Sequence, residues 1–161
     1  MSAEEWVLKF AVTPLGTAID VACVRWLGHS LVSALFARST GVEYNPPLLL
    51  VATGRRSGRK RPVVVPFFPA GPGRIAVVGS KGGAPKDPYW VENLRAEPQA
   101  EVHLARRRRR VRARVAEGAE RAELWDAITK RAAVYLDYEK RAAGQREIPV
   151  VVLESPDGPL P

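Results

Sequence analysis

The sequence predicts a mostly β domain of α+β class, built as a small, largely antiparallel barrel of about six strands. Short β-branched stretches bounded by glycine and proline recur between residues 48 and 154, and such stretches are typical of strands joined by tight turns. Only two helical stretches fall among them, so strands and helices do not alternate as a parallel doubly wound sheet requires. Residues 1–47 are predicted to form a helical arm and linker, and residues 155–161 a disordered tail.

Composition limits the size of the protein, its ligand class and its compartment. The chain has 161 residues, 46% of them apolar, and a net charge of +8. These values suit one domain with a real core and favour an anionic ligand. The single cysteine, Cys23, excludes an intramolecular disulfide framework and agrees with a reducing cytoplasm. With two distant histidines and no CxxC motif, we expect no metal site.

The N-terminal arm is predicted to contain two helices. The first covers Ala3–Val12, and the second begins at Thr13-Pro14 and runs to about Arg38. A capping hydroxyl followed by proline at the first helical position is a helix start signal. A membrane-spanning helix needs about 20 consecutive apolar residues. Charged residues interrupt the arm, so its longest uncharged stretch is much shorter than that. We expect these helices to pack on the domain; lying on a membrane surface or a partner is the alternative.

Six strands and two helices are predicted after the arm. The strands are Leu48–Thr53, Pro62–Phe68, Arg74–Gly79, Gln99–Ala105, Val111–Ala116 and Glu147–Glu154. One helix is capped by Asp87 and stops before Pro98, and a longer one runs from Glu117 to about Ala143. The run Arg106–Arg110 is predicted to be a hairpin tip, and a solvated turn is its simplest interpretation. Contact with anionic lipid, nucleic acid or other acidic groups is the alternative.

A basic turn joins the first two predicted strands, with five cations in the seven residues from Arg55 to Arg61. Because a strand holds the turn at each end, Arg55, Arg56 and Arg61 can aim their guanidinium groups at one anion, with Ser57 as a further donor. Arginine suits oxyanions because its planar fork donates two hydrogen bonds at once. For a charge run alone, a solvated turn that only aids solubility is the alternative.

A glycine-rich loop, GSKGGAPK, follows the third predicted strand at Gly79–Lys86. Its backbone amides, Ser80, Lys81 and the following helix N-terminus are the ingredients of an anion site, because successive amides form a nest and the helix dipole favours negative charge. The loop is neither a Walker A motif nor a dinucleotide fingerprint, and an ordinary hairpin exit is the alternative. Since both basic loops follow strands of one small sheet, together they can clamp one polyanionic ligand.

Three residues behind the second loop share one helix face. Trp90, Asn93 and Leu94 are three and four residues apart, so they are neighbours on the helix surface. Trp90 and Leu94 can wall a flat ring, and Asn93 can bond its edge. Burial of Trp90 and Leu94 in the core is the alternative.

These motifs resemble those of the deazaflavin-dependent nitroreductase family, whose members are split-barrel oxidoreductases that use coenzyme F420. The similar stretches are LLLVATGRRSGRKR, GSKGGAPKDPYWVENLRAEP and REIPVVVLE, within roughly Leu48 to Glu154. The matching positions are Gly54, Arg55, Arg56, Ser57, Gly58 and Arg61 in the first motif, Ser80 to Ala84 in the second, and Trp90, Asn93 and Leu94 in the third.

The resemblance implies an F420H2-dependent oxidoreductase of the nitroreductase or quinone reductase type. It would transfer a hydride from the reduced deazaflavin to a small electron-poor ring, such as a quinone or a nitroaromatic. The cofactor's anionic groups would fall on the arginines and Lys81, and its ring near Val65, Trp90 and Asn93. The implied cofactor-binding residues are Arg55, Arg56, Ser57, Arg61, Val65, Ser80, Lys81, Gly82, Gly83, Ala84, Trp90, Asn93 and Leu94.

The resemblance also implies a catalytic role for Tyr135 and Tyr138, near the end of the long predicted helix. In the family, tyrosines here cover the substrate and can donate a proton or hydrogen bond to it. Ala132 stands where the family has a further tyrosine, and Pro66 where some members have an aromatic residue. These departures concern the substrate more than the cofactor. Helix packing against the barrel mouth is the alternative role for both tyrosines.

Three rival functions stay open from the sequence. An FMN-binding split-barrel protein is disfavoured because the basic residues outnumber what one phosphate needs. A nucleic-acid-binding module using Arg55–Arg61 and Arg106–Arg114 is disfavoured because aromatic residues are not interleaved with the cations, so no nucleic-acid partner is expected. A binding protein without turnover is the third, for which Ala132 and Pro66 are hints.

The expected location is the cytoplasm, with association of the arm and the basic surface with the inner face of the membrane. Barrels of the resembled type often pair, so a homodimer is expected as well.

Overall fold

The computed structural model describes residues 13–40 and 45–161, and the helix predicted over Ala3–Val12 lies outside them. The helices are α1 (Pro14–Leu27), α2 (Leu31–Thr40), α3 (Tyr89–Ala96), α4 (Gly118–Arg131) and α5 (Val134–Ala142), with a short 3-10 turn at Lys81–Gly83. The strands are β1 (Leu48–Thr53), β2 (Lys60–Val65), β3 (Phe67–Pro69), β4 (Arg74–Val78), β5 (Gln99–Leu104), β6 (Arg107–Val115) and β7 (Val150–Glu154).

The seven strands form one curled sheet in the order β2-β1-β5-β6-β7-β4-β3. Antiparallel ladders join β1 to β5, β3 to β4, β4 to β7 and β6 to β7. The expected class, a largely antiparallel β fold with flanking helices, is therefore confirmed.

The strand predicted over Pro62–Phe68 is wrong as a single element, because Pro66 divides it into β2 and β3. Proline has no N–H group to donate to a ladder. The two pieces lie at opposite ends of the sheet order, which raises the strand count from about six to seven.

The second predicted helix of the arm is also two helices. Thr13 caps α1 as expected, since its hydroxyl accepts the Gly16 N–H at 3.1 Å. Gly28 then ends α1 in a left-handed conformation, with φ of 75°, as glycine often does at helix C-termini. Ser30 donates to both carboxylate oxygens of Asp20 at 2.9 Å and accepts the Ser33 N–H at 2.9 Å. In the part of the arm that is described, no helix is both long and apolar enough to cross the membrane.

The long helix predicted from Glu117 to Ala143 is interrupted between α4 and α5. Ala132 ends α4 with φ of −142° and ψ of 79°, outside the helical region. Tyr135, near the start of α5, then packs edge-on against Phe68 and Trp125, with ring centroids 5.8 and 6.3 Å apart. Helical periodicity on both sides of Ala132 concealed this break.

The arginine run Arg106–Arg110 is not a hairpin tip, because most of it belongs to β6. The turn consists of Ala105 and Arg106, with φ of 47° and 64°. Positive φ at both positions of a two-residue hairpin is the type I′ arrangement. Within the run, Arg108 pairs with Glu101 at 2.8 Å and Arg110 pairs with Asp157 at 2.7 Å.

The described chain divides into two compact units. The first contains the residues up to Val51 with Pro62–Pro66 and Glu101–Arg109. Its core includes Val24, Leu49 and Val51.

The second unit contains Ala52–Arg61, Phe67–Ala100 and Arg110–Pro161. Its apolar cluster is formed by Ala70, Ala76, Val78, Ala116, Trp125, Ile128, Tyr135, Ala142, Ile148, Val150 and Val152. All predicted site residues except Val65 belong to this unit.

The segment after β7, for which no fixed structure was expected, makes defined contacts. The Leu160 side chain is buried, and its N–H donates to the Gly73 carbonyl at 3.1 Å. Asp157 holds Arg110. Sequence composition, rich in proline and glycine here, did not reveal these tertiary contacts.

Candidate functional site

The glycine-rich loop after β4 folds as a backbone nest. Ser80 is right-handed, with φ of −71° and ψ of −42°, whereas Lys81 and Gly82 are left-handed, with φ of 45° and 65°. Such a succession turns neighbouring amides to one side and makes an anion-binding concavity. The Gly83 and Ala84 amides donate back to the Ser80 and Lys81 carbonyls. The amides of Ser80, Lys81 and Gly82 donate to no group among the described residues, so three donors are available to a ligand.

Arg146, which sequence reasoning missed, lies behind this loop. Its guanidinium donates to the carbonyls of Gly79, Ser80 and Ala84 at 3.2, 2.7 and 2.8 Å, and to the Asp87 carboxylate at 2.8 Å. Asp87 does not cap α3 as predicted, because its other oxygen accepts from Arg95 at 2.5 Å. Arg146 begins the stretch REIPVVVLE, which is similar to the family, but nothing local in that stretch indicates contacts with a loop more than 60 residues earlier.

The basic turn is closed by its own backbone. The Gly54 N–H donates to the Arg59 carbonyl at 2.8 Å, and the Ser57 and Gly58 amides return to the Gly54 carbonyl at 3.1 and 2.8 Å. The Arg61 guanidinium reaches the Ser57 hydroxyl at 3.4 Å. The turn is therefore a defined scaffold for its cations.

Helix α3 contacts both motifs. The buried Asn93 accepts the Arg55 N–H at 3.1 Å, and Glu92 pairs with the Arg55 guanidinium at 2.6 Å. At the other motif, a Cβ on Gly79 would lie 2.8 Å from Val91. One short helix thus anchors the basic turn and the start of the nest loop within the same unit.

The predicted cations differ in whether a carboxylate of the protein pairs with them. Glu92 partly neutralises Arg55, whereas Arg56 and Arg61 are exposed and form no ion pair with any residue in 13–40 or 45–161. Lys81 is exposed, and its ammonium lies 5.5 Å from the centre of the Tyr89 ring. Arg56, Arg61 and Lys81 are consequently the cations with the least competition from carboxylates.

The predicted ring-contacting residues are largely covered. Trp90, Asn93 and Leu94 keep only 8%, 5% and 4% of their surface exposed, which fits the core alternative for Trp90 and Leu94. The side-chain oxygen of Asn93 already accepts a hydrogen bond from the basic turn. Val65 is buried in the first unit.

The two tyrosines belong to one aromatic cluster. Their rings meet edge-on with centroids 5.8 Å apart, and Phe68 and Trp125 contact Tyr135. Burial, with a smaller effect of Tyr138, raises the pKa of Tyr135 well above its usual value. The Tyr135 hydroxyl makes no hydrogen bond within the described chain, and it is not among the fully buried unpaired atoms there. The ring is therefore covered, while the hydroxyl oxygen is not completely enclosed.

The nest loop packs directly on α5, the helix that carries both tyrosines. A Cβ on Gly83 would lie 2.6 Å from the Tyr138 carbonyl oxygen and 2.7 Å from the Arg141 Cβ. The Arg141 guanidinium lies 5.6 Å from the Tyr138 ring centre and 3.5 Å from the Gly82 carbonyl. The nest loop and the two tyrosines are thereby joined in one packed structure.

A cavity of about 210 Å³ in the second unit is lined by Leu94, Arg95, Pro98, Ala113, Arg114, Val115 and Val151. Leu94 is its one link to the predicted site residues, so this cavity is separate from the nest and the basic turn. In the described ranges, no three His, Cys, Asp or Glu side chains are grouped as metal ligands.

Comparison with known proteins places the chain in a family. The model of the F420H(2)-dependent quinone reductase family matches residues 33–155. The F420H(2)-dependent quinone reductase Rv1261c of Mycobacterium tuberculosis is 34% identical over 111 residues, which cover 67% of this chain and 72% of the relative.

Two solved structures are similar as well. An F420-H2 dependent reductase, FDR-A, has a TM-score of 0.60 and 34% identity, covering 70% of this chain and 97% of its own. A protein described as a domain-swapped dimer has a TM-score of 0.60 and 33% identity, covering 70% and 82%. The chain therefore belongs to the F420H(2)-dependent quinone reductase family, and it is a split-barrel oxidoreductase whose cofactor is the deazaflavin F420.

Proposed function

We propose that this protein reduces a quinone with reduced F420, and that it holds the anionic groups of the cofactor at the nest and the basic turn. The main support for this proposal is the loop backbone, which changes from right-handed at Ser80 to left-handed at Lys81. Three N–H groups there donate no hydrogen bond within the described chain, and the Lys81 ammonium group belongs to the same loop. A Cβ on Gly82 would meet nothing within 4 Å. The backbone there is thus open to a ligand and suited to an anion.

Each part of the site has a distinct task in binding. The amides of Ser80, Lys81 and Gly82 and the Lys81 ammonium bind one anionic group through charge-assisted hydrogen bonds. Arg56 and Arg61 bind further anionic groups, since their guanidinium groups have no carboxylate partner in the described chain. Several cations suit a ligand with several negative charges, which favours F420 over FMN.

The tyrosines are proposed to act on the acceptor. When bound, reduced F420 supplies a hydride. A quinone that accepts a hydride gains negative charge on oxygen, so a hydrogen-bond or proton donor beside it assists the reaction. The raised pKa of Tyr135 keeps its hydroxyl protonated at neutral pH. We assign this donor role to Tyr135 and the covering of the acceptor to Tyr138.

The choice of acceptor can be tested directly. We expect a quinone to be the preferred acceptor and a nitroaromatic a poorer one. Steady-state oxidation of F420H2, followed by absorbance with each acceptor, compares kcat/KM for the two. A higher kcat/KM for the nitroaromatic would contradict the quinone assignment.

Binding of F420 is tested by fluorescence quenching titration. Lys81→Ala and Arg61→Ala should each weaken binding by about 1–3 kcal/mol, the range for a lost charged hydrogen bond. Lys86→Ala is the matched control, because Lys86 is an exposed lysine at the end of the same loop whose side chain makes no hydrogen bond or ion pair with the described residues. Tighter binding of FMN than of F420, or unchanged affinity in both test variants, would overturn the proposal.

We also propose that α1 and the start of α2 contact an anionic membrane from the cytoplasmic side. Exposed apolar side chains concentrate there, including Trp26 at 71%, Leu15 at 64% and Leu27 at 63%. The Arg106 side chain lies 3.5 Å from the position of a Cβ on Gly28, which adds positive charge. Apolar side chains beside cations are typical of interfacial helices.

Sedimentation with vesicles tests the membrane proposal. The protein should sediment with vesicles containing phosphatidylglycerol more than with neutral vesicles, and the double change Trp26→Ser and Leu27→Ser should reduce this. Thr17→Ser and Ala18→Ser form a control on the same helix. Equal sedimentation of the wild-type protein and the Trp26/Leu27 variant would contradict membrane contact.

A homodimer is the last part of the proposal. The domain-swapped dimer among the similar solved structures supports pairing of two copies. Light scattering coupled to size exclusion should give twice the mass of one chain, and a monomer mass at micromolar concentration would contradict it.

A further inference from the structure

Arg146, the first residue of the stretch REIPVVVLE, has every part of its guanidinium engaged. Its side chain is only 10% exposed, and it makes four hydrogen bonds to groups 59 to 67 residues earlier in the chain. Three acceptors are backbone carbonyls of the nest loop and its flank, and the fourth is the Asp87 carboxylate. Every one of these bonds fixes the path of the chain between Gly79 and Asp87.

The bonds to the Gly79 and Ser80 carbonyls have a geometric consequence. In a trans peptide, the C=O of one residue and the N–H of the next point in opposite directions. Because Arg146 binds the carbonyls of Gly79 and Ser80, the amides of Ser80 and Lys81 point away from it. These are two of the three amides of the nest whose N–H groups donate no hydrogen bond within the described chain.

Behind the loop, Arg146 pairs with a carboxylate that also accepts from Arg95. Asp87, only 14% exposed, lies 2.8 Å from the Arg146 guanidinium. The guanidinium is therefore paired on its own side, and a ligand in the nest would meet the amides and Lys81 rather than Arg146.

We propose that Arg146 is a positioning residue of the anion site, which holds the carbonyls of Gly79 and Ser80 so that the amides of Ser80 and Lys81 face the ligand. It acts through the loop and does not touch the cofactor. The inference rests on the proposed binding of F420 at the nest. It adds Arg146, which was not among the predicted cofactor-binding residues, to the determinants of that binding.

Arg146→Lys is the test variant, because lysine keeps the charge but cannot reach four acceptors from one nitrogen. Arg121→Lys is the matched control. Arg121 is a second arginine of the same unit with only 11% side-chain exposure, and it contacts Glu147 and the Ile148 carbonyl instead of the loop. Kinetics with F420H2 and hydrogen exchange of the Gly83 and Ala84 amides, which close the loop at 2.9 and 3.2 Å, are measured for both.

We expect Arg146→Lys to raise the KM for F420H2 about tenfold, within the range for lost charged hydrogen bonds, with kcat nearly unchanged at saturation. The Gly83 and Ala84 amides should exchange faster in this variant without ligand. A merely structural role would lower the active fraction and kcat while leaving KM unchanged. That result, or an equal rise in KM for Arg121→Lys, would overturn the proposal.

Failure of the proposed function and failure of the variant to fold can each be distinguished from failure of this inference. If the wild-type protein does not saturate with F420H2, the proposed function fails, and the exchange data alone decide whether Arg146 holds the loop. If Arg146→Lys does not fold, Asp87→Asn takes its place, since it keeps an acceptor oxygen and removes the paired charge. A rise in KM for Asp87→Asn supports the proposal, and an unchanged KM with unchanged exchange overturns it.

Discussion

Gly83 lies against the backbone of Tyr138 so closely that a Cβ on Gly83 would be 2.6 Å from the Tyr138 carbonyl oxygen. Real Cβ atoms do not approach a backbone oxygen to this distance. The absence of a side chain at Gly83 is therefore what lets the nest loop pack on α5. Because α5 carries both tyrosines, a change in the loop should also shift the side chains of the aromatic cluster.

Gly83→Ala should destabilise the fold and weaken F420 binding more than Gly82→Ala. Both glycines are left-handed, with φ of 80° and 65°, so alanine at either position costs about 1–2 kcal/mol of backbone strain. Only at Gly83 does the new methyl group also meet backbone atoms. Urea unfolding and F420 titration measure the two effects, and equal losses in both variants would refute the role of the close contact.

Tyr135→Phe should lower kcat and leave F420 affinity intact, because the ring stays in the cluster and only the hydroxyl is lost. Tyr138→Phe should lower kcat less. Because its pKa is raised, the Tyr135 hydroxyl stays protonated throughout the range from pH 6 to pH 9. The pH dependence of kcat in this range should therefore have the same shape in the wild-type protein and in Tyr135→Phe. A limb in the wild-type profile that disappears in Tyr135→Phe would show instead that the hydroxyl ionises in this range.

Ala105→Asn should stabilise the protein. Ala105 and Arg106 both have positive φ in a two-residue hairpin turn, where asparagine is preferred because it tolerates the left-handed conformation. We expect a gain of about 0.5–1 kcal/mol in unfolding free energy, part of the left-handed cost for a residue other than glycine. Ala105→Val, a β-branched change at the same site, should destabilise. Stabilisation by valine in urea unfolding would contradict this account of the turn.

His103 should make the protein less stable in mild acid. Burial, followed by the charge of Arg25, lowers its pKa in the folded state; Glu101 opposes this, and Arg108 adds a smaller lowering effect. The unfolded chain then binds more protons than the folded one, so the unfolding free energy falls as pH drops through the unfolded value of about 6.5. The loss continues until the folded pKa is passed.

Urea unfolding from pH 5 to pH 8 measures this dependence. His103→Gln, which cannot titrate, should flatten the slope below pH 6.5. The same slope in wild type and His103→Gln would assign the acid sensitivity to other groups.

The sequence by itself determined the fold class and the location of the glycine-rich loop that we propose as the anion site. Alternating and β-branched stretches predict strands, and the glycine pattern of GSKGGA predicts a loop with left-handed residues, because both are consequences of local backbone geometry. The Thr13 cap was visible for the same reason. Family membership followed from motifs that are themselves local.

Tertiary structure decided what local patterns cannot contain. Arg146 donates to backbone carbonyls 62 to 67 residues earlier in the chain, and the Asn93 side chain accepts from an amide 38 residues away. The breaks at Pro66 and Ala132 depend on which sheet edge or core the next residues join. These features follow from competition among distant contacts for burial and hydrogen bonds, and that competition is settled only when the strands assemble.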